Sequence, residues 1–454
     1  MKPDQTIVVV GGNAAGAAAA AKAKRVNPSA TVILLEQSKY ISTGTCELPY
    51  VLSGEIGNPQ DIVFFDEQRF FDEKQVSVYT RQQVVEVNPR GKTLTVNSLA
   101  EKKINQLTYD KLILATGSKA KRIPQLPSEL TNVSPLKTVE DVMRIKELIN
   151  GSKLKRVCVV GSGYIGLEIT EALTKLGFEV YLVEHFSEPF PSADKEIRQL
   201  VKKILDEKNI YFLGDAVSIK YKINASKVTE IVYEGRSVEI DFVINCSGFA
   251  PNNSLALQAK LEIGSFGGIK VNNKLQTSER DIFACGDCIE VKNFLTRSDD
   301  YIPLATLAQR QGHIAGENAA LGNSFYQPVI KNISVKIFDN YFAQVGLSEQ
   351  EIQTKNIPYT SVDEVVPNLV KVMKGSSPVY GKILFDRYSK KIFGASFLGG
   401  KEVSGYADLI STYIKNIIPV TQLSTTEYNY TPPLSPFINL LSVLGRKSQN
   451  LSKT

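Results

Sequence analysis

Two patterns of apolar positions divide the chain. Up to about residue 325 the apolar residues come in short unbroken runs, and beyond it they alternate with polar ones. Thr6-Ile7-Val8-Val9-Val10 and Val32-Ile33-Leu34-Leu35 are such runs, which predicts strands buried on both faces, as in a parallel sheet. Between them the alanine-rich stretch from Ala17 to Arg25 predicts a helix. The same succession returns at Arg156-Val157-Cys158-Val159-Val160 and Val180-Tyr181-Leu182-Val183. Farther on, Asn332 to Asp339 and Gly381 to Asp386 alternate, which predicts antiparallel strands with one face buried.

Each strand–helix–strand unit carries a glycine turn. The first reads Gly11-Gly12-Asn13-Ala14-Ala15-Gly16, and the second Gly161-Ser162-Gly163-Tyr164-Ile165-Gly166. Such a turn lets the backbone approach a pyrophosphate, and the helix that follows offers free N–H groups and the positive end of its dipole. An acid closes both units: Glu36 stands 20 residues beyond Gly16, and Glu184 stands 18 beyond Gly166. A carboxylate there accepts hydrogen bonds from a ribose diol and repels a 2′-phosphate, so NADH is favoured over NADPH at the second unit. In the first copy Asn13 occupies the place of the usual middle glycine. Two fingerprints about 150 residues apart predict an α/β chain with two Rossmann-like units, two dinucleotides and hydride passed between them.

Composition narrows the class further. The 454 residues are 43% hydrophobic and 22% charged, and 53 Lys and Arg against 47 Asp and Glu leave a net charge of +6. That charge is small and interspersed, which argues against nucleic-acid binding. No apolar run nears the roughly 20 residues that span a bilayer. With the first strand starting almost at the N-terminus, a cytoplasmic protein without membrane association is expected. Five cysteines at irregular spacing make no disulfide framework, and reduced thiols are expected.

Three further segments sharpen the assignment. Tyr109-Asp110-Lys111-Leu112-Ile113-Leu114 runs into Ala115-Thr116-Gly117-Ser118, and Asp241 to Cys246 runs into Ser247-Gly248. Each reads as the chain crossing between units. Thr277-Ser278 followed by Asp281-Ile282-Phe283-Ala284-Cys285-Gly286-Asp287 resembles a flavoprotein segment whose aspartate binds the ribityl chain of FAD. Taken together, these motifs resemble the pyridine nucleotide–disulfide oxidoreductase superfamily over nearly the whole chain. The resemblance implies an FAD-binding domain made of residues 1–118 and 246–325, an NAD(P)H-binding domain at 119–245, and an α+β dimerisation domain at 326–454. It also implies a homodimer. By the same resemblance Gly11, Gly12, Asn13, Ala15, Gly16, Glu36, Gln37, Val84, Ala115, Thr116, Gly117, Asp287 and Ala305 hold FAD. Gly161, Gly163, Tyr164, Ile165, Gly166, Glu184 and Gly248 hold the nicotinamide dinucleotide. The apolar segment Phe437-Ile438-Asn439-Leu440-Leu441 is consistent with burial where the homodimer forms through the last domain, an ordinary core strand or helix being the other reading.

Within the superfamily, Cys46 discriminates. It lies in Ser42-Thr43-Gly44-Thr45-Cys46-Glu47-Leu48-Pro49-Tyr50, and the position of a second redox cysteine is held by Val51. An isolated thiolate cannot close an internal disulfide and must rest as a mixed disulfide or a sulfenic acid. The histidines are His185 and His313, neither of them near the C-terminus, so the histidine–glutamate pair of dithiol reductases is missing. Peroxidases and oxidases of the single-cysteine branch carry a histidine in the first glycine loop, where this chain has Asn13-Ala14-Ala15. The segment from Cys46 to Gly54, with Tyr430-Thr431-Pro432-Pro433-Leu434-Ser435 near the C-terminus, is most similar to coenzyme A disulfide reductase.

That resemblance implies Cys46 as the redox thiol and Tyr430, from the other subunit, as a hydroxyl at the departing sulfur. It also implies Lys22, Arg25, Ser42 and Thr45 as a coenzyme A surface. Arginine and lysine pair well with the phosphates of such a substrate. The thiolate is expected to have a lowered pKa through the flavin and a helix N-terminus near Cys46. Three activities fit: reduction of coenzyme A disulfide or a related persulfide or polysulfide, NADH oxidase or peroxidase chemistry on a Cys46 sulfenic acid, and electron transfer or redox sensing. Cys285-Gly286-Asp287-Cys288 has a metal-like spacing, but Asp287 belongs to the flavin segment and no further ligands stand nearby, so no metal is expected. Cys158 and Cys246 fall in strand runs and are expected to be core residues.

Overall fold

The chain forms three layered units in this computed structural model, which describes residues 4–150 and 154–451. The first is a parallel sheet in the order Ile282–Ala284, Lys111–Leu114, Thr6–Val10, Thr31–Leu35, Ser77–Tyr79. Its central strand is apolar at Ile7, Val8 and Val9 because helices cover both faces. The helix Ala14–Val26 lies against Ala305–Ala319 so closely that a side chain on Gly312 would meet the Ala15 carbonyl oxygen at 2.2 Å. The run of alanines on one helix and glycines on the other is what lets the two backbones approach.

The second unit repeats the plan: Val133–Pro135, Phe242–Asn245, Arg156–Val160, Glu179–Val183 and Tyr211–Leu213 lie parallel in that order. The two segments read as crossings meet. Ser118–Ala120 pairs antiparallel with Phe249–Pro251, so the chain leaves and re-enters through one two-stranded seam.

The third unit is an antiparallel sheet ordered Asn332–Ile337, Asn340–Gly346, Ile392–Gly399, Pro378–Phe385, Thr360–Pro367. Helices Val403–Lys415 and Leu440–Asn450 bury Ala407, Ile410, Leu440, Leu441 and Leu444 with Phe397 of the sheet. Within the single chain the apolar C-terminal segment splits. Leu440 and Leu441 are fully buried, but Phe437 is 75% exposed and Ile438 is 48% exposed. The helix begins only at Leu440, and Phe437 lies on the loop before it. No helix among the described residues is long and apolar enough to cross a membrane.

Candidate functional site

Three turns converge at the end of the first sheet. Gly11 adopts φ +105°, and a Cβ on it would strike the Ala115 carbonyl oxygen at 2.2 Å. Gly16 is packed as tightly, its absent Cβ 1.8 Å from the Gly11 carbonyl oxygen. Thr116 Oγ1 donates to the Asn252 carbonyl (2.6 Å), and Gly117 is in the left-handed region. Gly286 N donates to Gln311 Oε1 (2.7 Å) beside Ala15, which brings Asp287 to the same place. Ala305 opens the helix that packs there.

Glu36 accepts from Gly12 N (2.7 Å) and Ser38 N (2.8 Å), while Gln37 next to it is exposed and Val84 is buried in the strand Gln82–Asn88. The helix Ala14–Val26 has no side-chain cap, which leaves its first N–H groups for an anion. A close-packed glycine turn, an uncapped helix and an acid at the strand end are features that fit FAD.

The second glycine turn is built alike. Gly161 has φ +102° with its absent Cβ 2.4 Å from the Cys246 carbonyl oxygen, and Gly166 closes on Gly161, but no atom lies within 4 Å of a Cβ built on Gly163. Gly163 is therefore where a phosphate can approach the backbone, before the uncapped helix Tyr164–Lys175. Glu184 is buried and accepts from Ser162 N (2.9 Å), Ser162 Oγ (2.7 Å) and His185 N (2.7 Å). Tyr164 stands edge-on to Phe190 with ring centres 5.1 Å apart, and Ile165 is half-buried beside it. Gly248, φ +107°, immediately precedes the seam strand Phe249–Pro251. These features fit a nicotinamide dinucleotide.

Cys46 lies in a single 3₁₀ turn, Thr45–Glu47, between the strand Ile41–Thr43 and the six-residue helix Leu48–Ser53. It is exposed, whereas Val51 is fully buried with Leu48 and Leu52. The segment is stitched to the first glycine turn. Asn13 Oδ1 accepts from Thr43 N (2.9 Å) and Thr43 Oγ1 (2.8 Å), and the Gly12 carbonyl accepts from Ser42 N (2.8 Å).

Among the chain's own groups, the balance at Cys46 is the reverse of the lowering expected from a helix N-terminus. Desolvation pushes the thiol up first, the carboxylates of Glu47, Glu168 and Asp287 push it further, and Lys137 opposes them. A helix of six residues carries little of the macrodipole that would compensate.

Of the basic residues on the first helix, Arg25 is exposed. Lys22 is paired with Glu317 at 2.9 Å, and Lys24 donates to the Pro28 and Ala30 carbonyls, closing the helix end. His313, exposed on the helix Ala305–Ala319, feels the same two cations: partial desolvation first and then Lys22 and Arg25 push its pKa down. It had no motif to mark it, since it enters the cluster from a distant helix. Ser42 is half-buried with φ +49°, and Thr45 is exposed. Tyr430 is 46% exposed on the C-terminal loop, its ring edge-on to Phe437 at 5.3 Å, with no described contact to Cys46 of its own chain.

A second group escaped the sequence reading. Tyr50, four residues past Cys46, donates to Glu168 Oε1 (3.2 Å) across 118 residues of chain. Burial pushes the Glu168 carboxyl up to about 7. Cys285 and Cys288 are fully buried, and Cys288 Sγ donates to the Cys285 carbonyl (3.2 Å). Cys158 is fully buried as well, and Cys246 lies under the second glycine turn.

Comparison with known proteins bears on this arrangement. A family model described as pyridine nucleotide-disulphide oxidoreductase matches residues 5–312. An "NADH oxidase" of Methanocaldococcus jannaschii is 30% identical over 94% of this chain and 95% of its own. A "coenzyme A disulfide reductase" of Staphylococcus aureus is 28% identical over 98% of this chain and 99% of its own. Among solved structures, reduced CoADR-RHD of Bacillus anthracis superposes with a TM-score of 0.94 at 32% identity, covering 99% of this chain and 81% of that one. An NAD-dependent persulfide reductase from A. fulgidus gives 0.92 at 29% identity, covering 98% and 83%.

Proposed function

Because the chain belongs to the pyridine nucleotide-disulphide oxidoreductase family, we propose that this flavoprotein oxidoreductase takes electrons from NADH and reduces coenzyme A disulfide, or a related persulfide, at Cys46. The observation that carries this reading is an exposed thiol whose expected partner position, Val51, is sealed in the core. Such a sulfur can exchange only with a thiol or disulfide brought from solution. The relatives named for coenzyme A disulfide and persulfide reduction support the same substrate class.

Bound FAD supplies the two-electron relay between nicotinamide and sulfur. Glu36, the turn 11–16 and Asp287 would hold it, and Glu184 with Gly163 would seat the dinucleotide of NADH. The Cys46 thiolate attacks one sulfur of the disulfide. A Cys46–coenzyme A bond forms, the substrate S–S bond breaks, and one coenzyme A leaves as a thiolate that takes up a proton. Two electrons then cleave the mixed disulfide, restoring the Cys46 thiolate and freeing the second coenzyme A, again with one proton. In a homodimer, Tyr430 of the partner subunit would donate a hydrogen bond to the departing sulfur. Arg25, with Ser42 and Thr45, would receive the substrate's phosphate-bearing portion.

Anaerobic NADH oxidation with coenzyme A disulfide, scored by free thiol, tests this. Two thiols per NADH are expected. NADH consumption that requires oxygen or peroxide and yields no thiol would favour the second reading, an NADH oxidase resting as a Cys46 sulfenic acid, which the archaeal relative supports.

A further inference from the structure

The seam between the two dinucleotide units holds a partly buried polar relay outside the mechanism described above. Lys137 Nζ donates to Ser118 Oγ (2.8 Å), and Ser118 Oγ donates its own proton to Asp287 Oδ2 (3.0 Å). The ammonium also sits over the Phe249 ring, 4.3 Å from its centre. Ser118 and Phe249 belong to the two paired crossing strands. Lys137 itself comes from the turn before the helix Val139–Asn150, where Lys137 N and Thr138 N both donate to Asp141 Oδ2 (3.0 Å each). The hydroxyl of Tyr301 is buried without a hydrogen bond of ordinary geometry, and Asp287, Ser118 and Cys288 are the groups acting on it. The direction of the relay is fixed, because an ammonium only donates and an ionised carboxylate only accepts.

A cation placed so deliberately needs a purpose. Its anchors are a hydroxyl and an aromatic face, and among the described residues it has no direct ion pair. The ionisable groups that it faces are Asp287, Asp141 and Cys46, and burial disfavours its charged form against them. Seen from the thiol, desolvation, Glu47, Glu168 and Asp287 all oppose ionisation, and Lys137 is the cation that favours it.

We propose that Lys137 is a positioning residue for the redox site: through Ser118 it orients Asp287, and its ammonium supplies the positive charge that the Cys46 thiolate faces. This rests on the reading of Cys46 as the redox thiol. It adds a residue of the inserted unit to the chemistry of the first, so that the thiol's ionisation depends on how the two units meet at the seam.

The test is the pH dependence of Cys46 alkylation by iodoacetamide in the reduced, anaerobic holoenzyme, followed by mass spectrometry, with flavin content measured in parallel. Lys137→Met is expected to raise the alkylation midpoint by about one pH unit, a tenfold loss of thiolate below it. Lys137→Arg is expected to keep the wild-type midpoint. Equal midpoints in wild type and Lys137→Met, with flavin bound, would overturn the proposal. Should Lys137→Met shed its flavin, Ser118→Ala decides: weakened flavin retention supports the relay, and full retention contradicts it. Because alkylation needs no acceptor substrate, these outcomes stand apart from whether coenzyme A disulfide is turned over.

Discussion

Asn13 Oδ1 accepts both the backbone N–H (2.9 Å) and the hydroxyl (2.8 Å) of Thr43, so the first glycine turn grips the strand that delivers Cys46. The departure from glycine at position 13 thereby gains a reason. Asn13→Gly should retain FAD but let the cysteine segment drift. We expect a stability loss of about 1–2 kcal/mol and a weaker thiolate-to-flavin absorbance band on reduction, read by denaturant titration and by visible spectra. A variant with wild-type stability and an unchanged band would show that the grip is incidental.

Cys46→Ser removes the proposed exchanging sulfur without adding bulk to an exposed turn. Flavin content should be unchanged, while NADH-driven reduction of coenzyme A disulfide should fall by at least about a hundredfold, in line with loss of a covalent nucleophile. Turnover that persists with every disulfide tried would remove Cys46 from the mechanism.

At the second glycine turn, the Glu184 carboxylate is buried and anchored by Ser162 and His185. Glu184→Ala would take away the proposed acceptor for a ribose diol together with the repulsion of a 2′-phosphate. The KM for NADH should rise about tenfold, the equivalent of a hydrogen bond to a charged group, and the preference for NADH over NADPH should shrink. Steady-state kinetics with both cofactors checks this, and an unaltered ratio would place discrimination elsewhere.

Glu168 gives a pH prediction. Its folded-state pKa is raised to about 7 by burial, against a value near 4.3 in an unfolded chain. Between those values the folded state binds more protons than the unfolded one, so stability falls as pH rises through the window. The loss should be complete above about 7. Glu168→Gln keeps a partner for the Tyr50 hydroxyl and should flatten that dependence. Thermal melts from pH 5 to 8 provide the check; parallel curves for wild type and variant would mean that the carboxyl ionises freely in the fold.

Much of the scaffold was legible because it is local. Unbroken apolar runs, glycine turns and the acids Glu36 and Glu184 lie within about 30 residues of one another in each unit, and their spacing encodes the strand–helix–strand plan. The site's electrostatics were not legible, because they come from residues distant in sequence. Tyr50 meets Glu168, Lys22 meets Glu317, and Lys137 meets Ser118 and, through it, Asp287. The lowering expected from a helix N-terminus at Cys46 is not met: desolvation raises the thiol first and the neighbouring Glu47 next, with Glu168 and Asp287 adding to it from other parts of the chain.

The central claim is that an unpaired Cys46 exchanges with a coenzyme A-type disulfide. Its most direct test is the intact mass of the native protein, purified without reductant, together with peptide mapping of the Cys46 segment. The account predicts coenzyme A attached to Cys46 through a disulfide and released by NADH alone. A Cys46 that carries only a single oxygen, or that stays an unmodified thiol when coenzyme A disulfide is added, would contradict it.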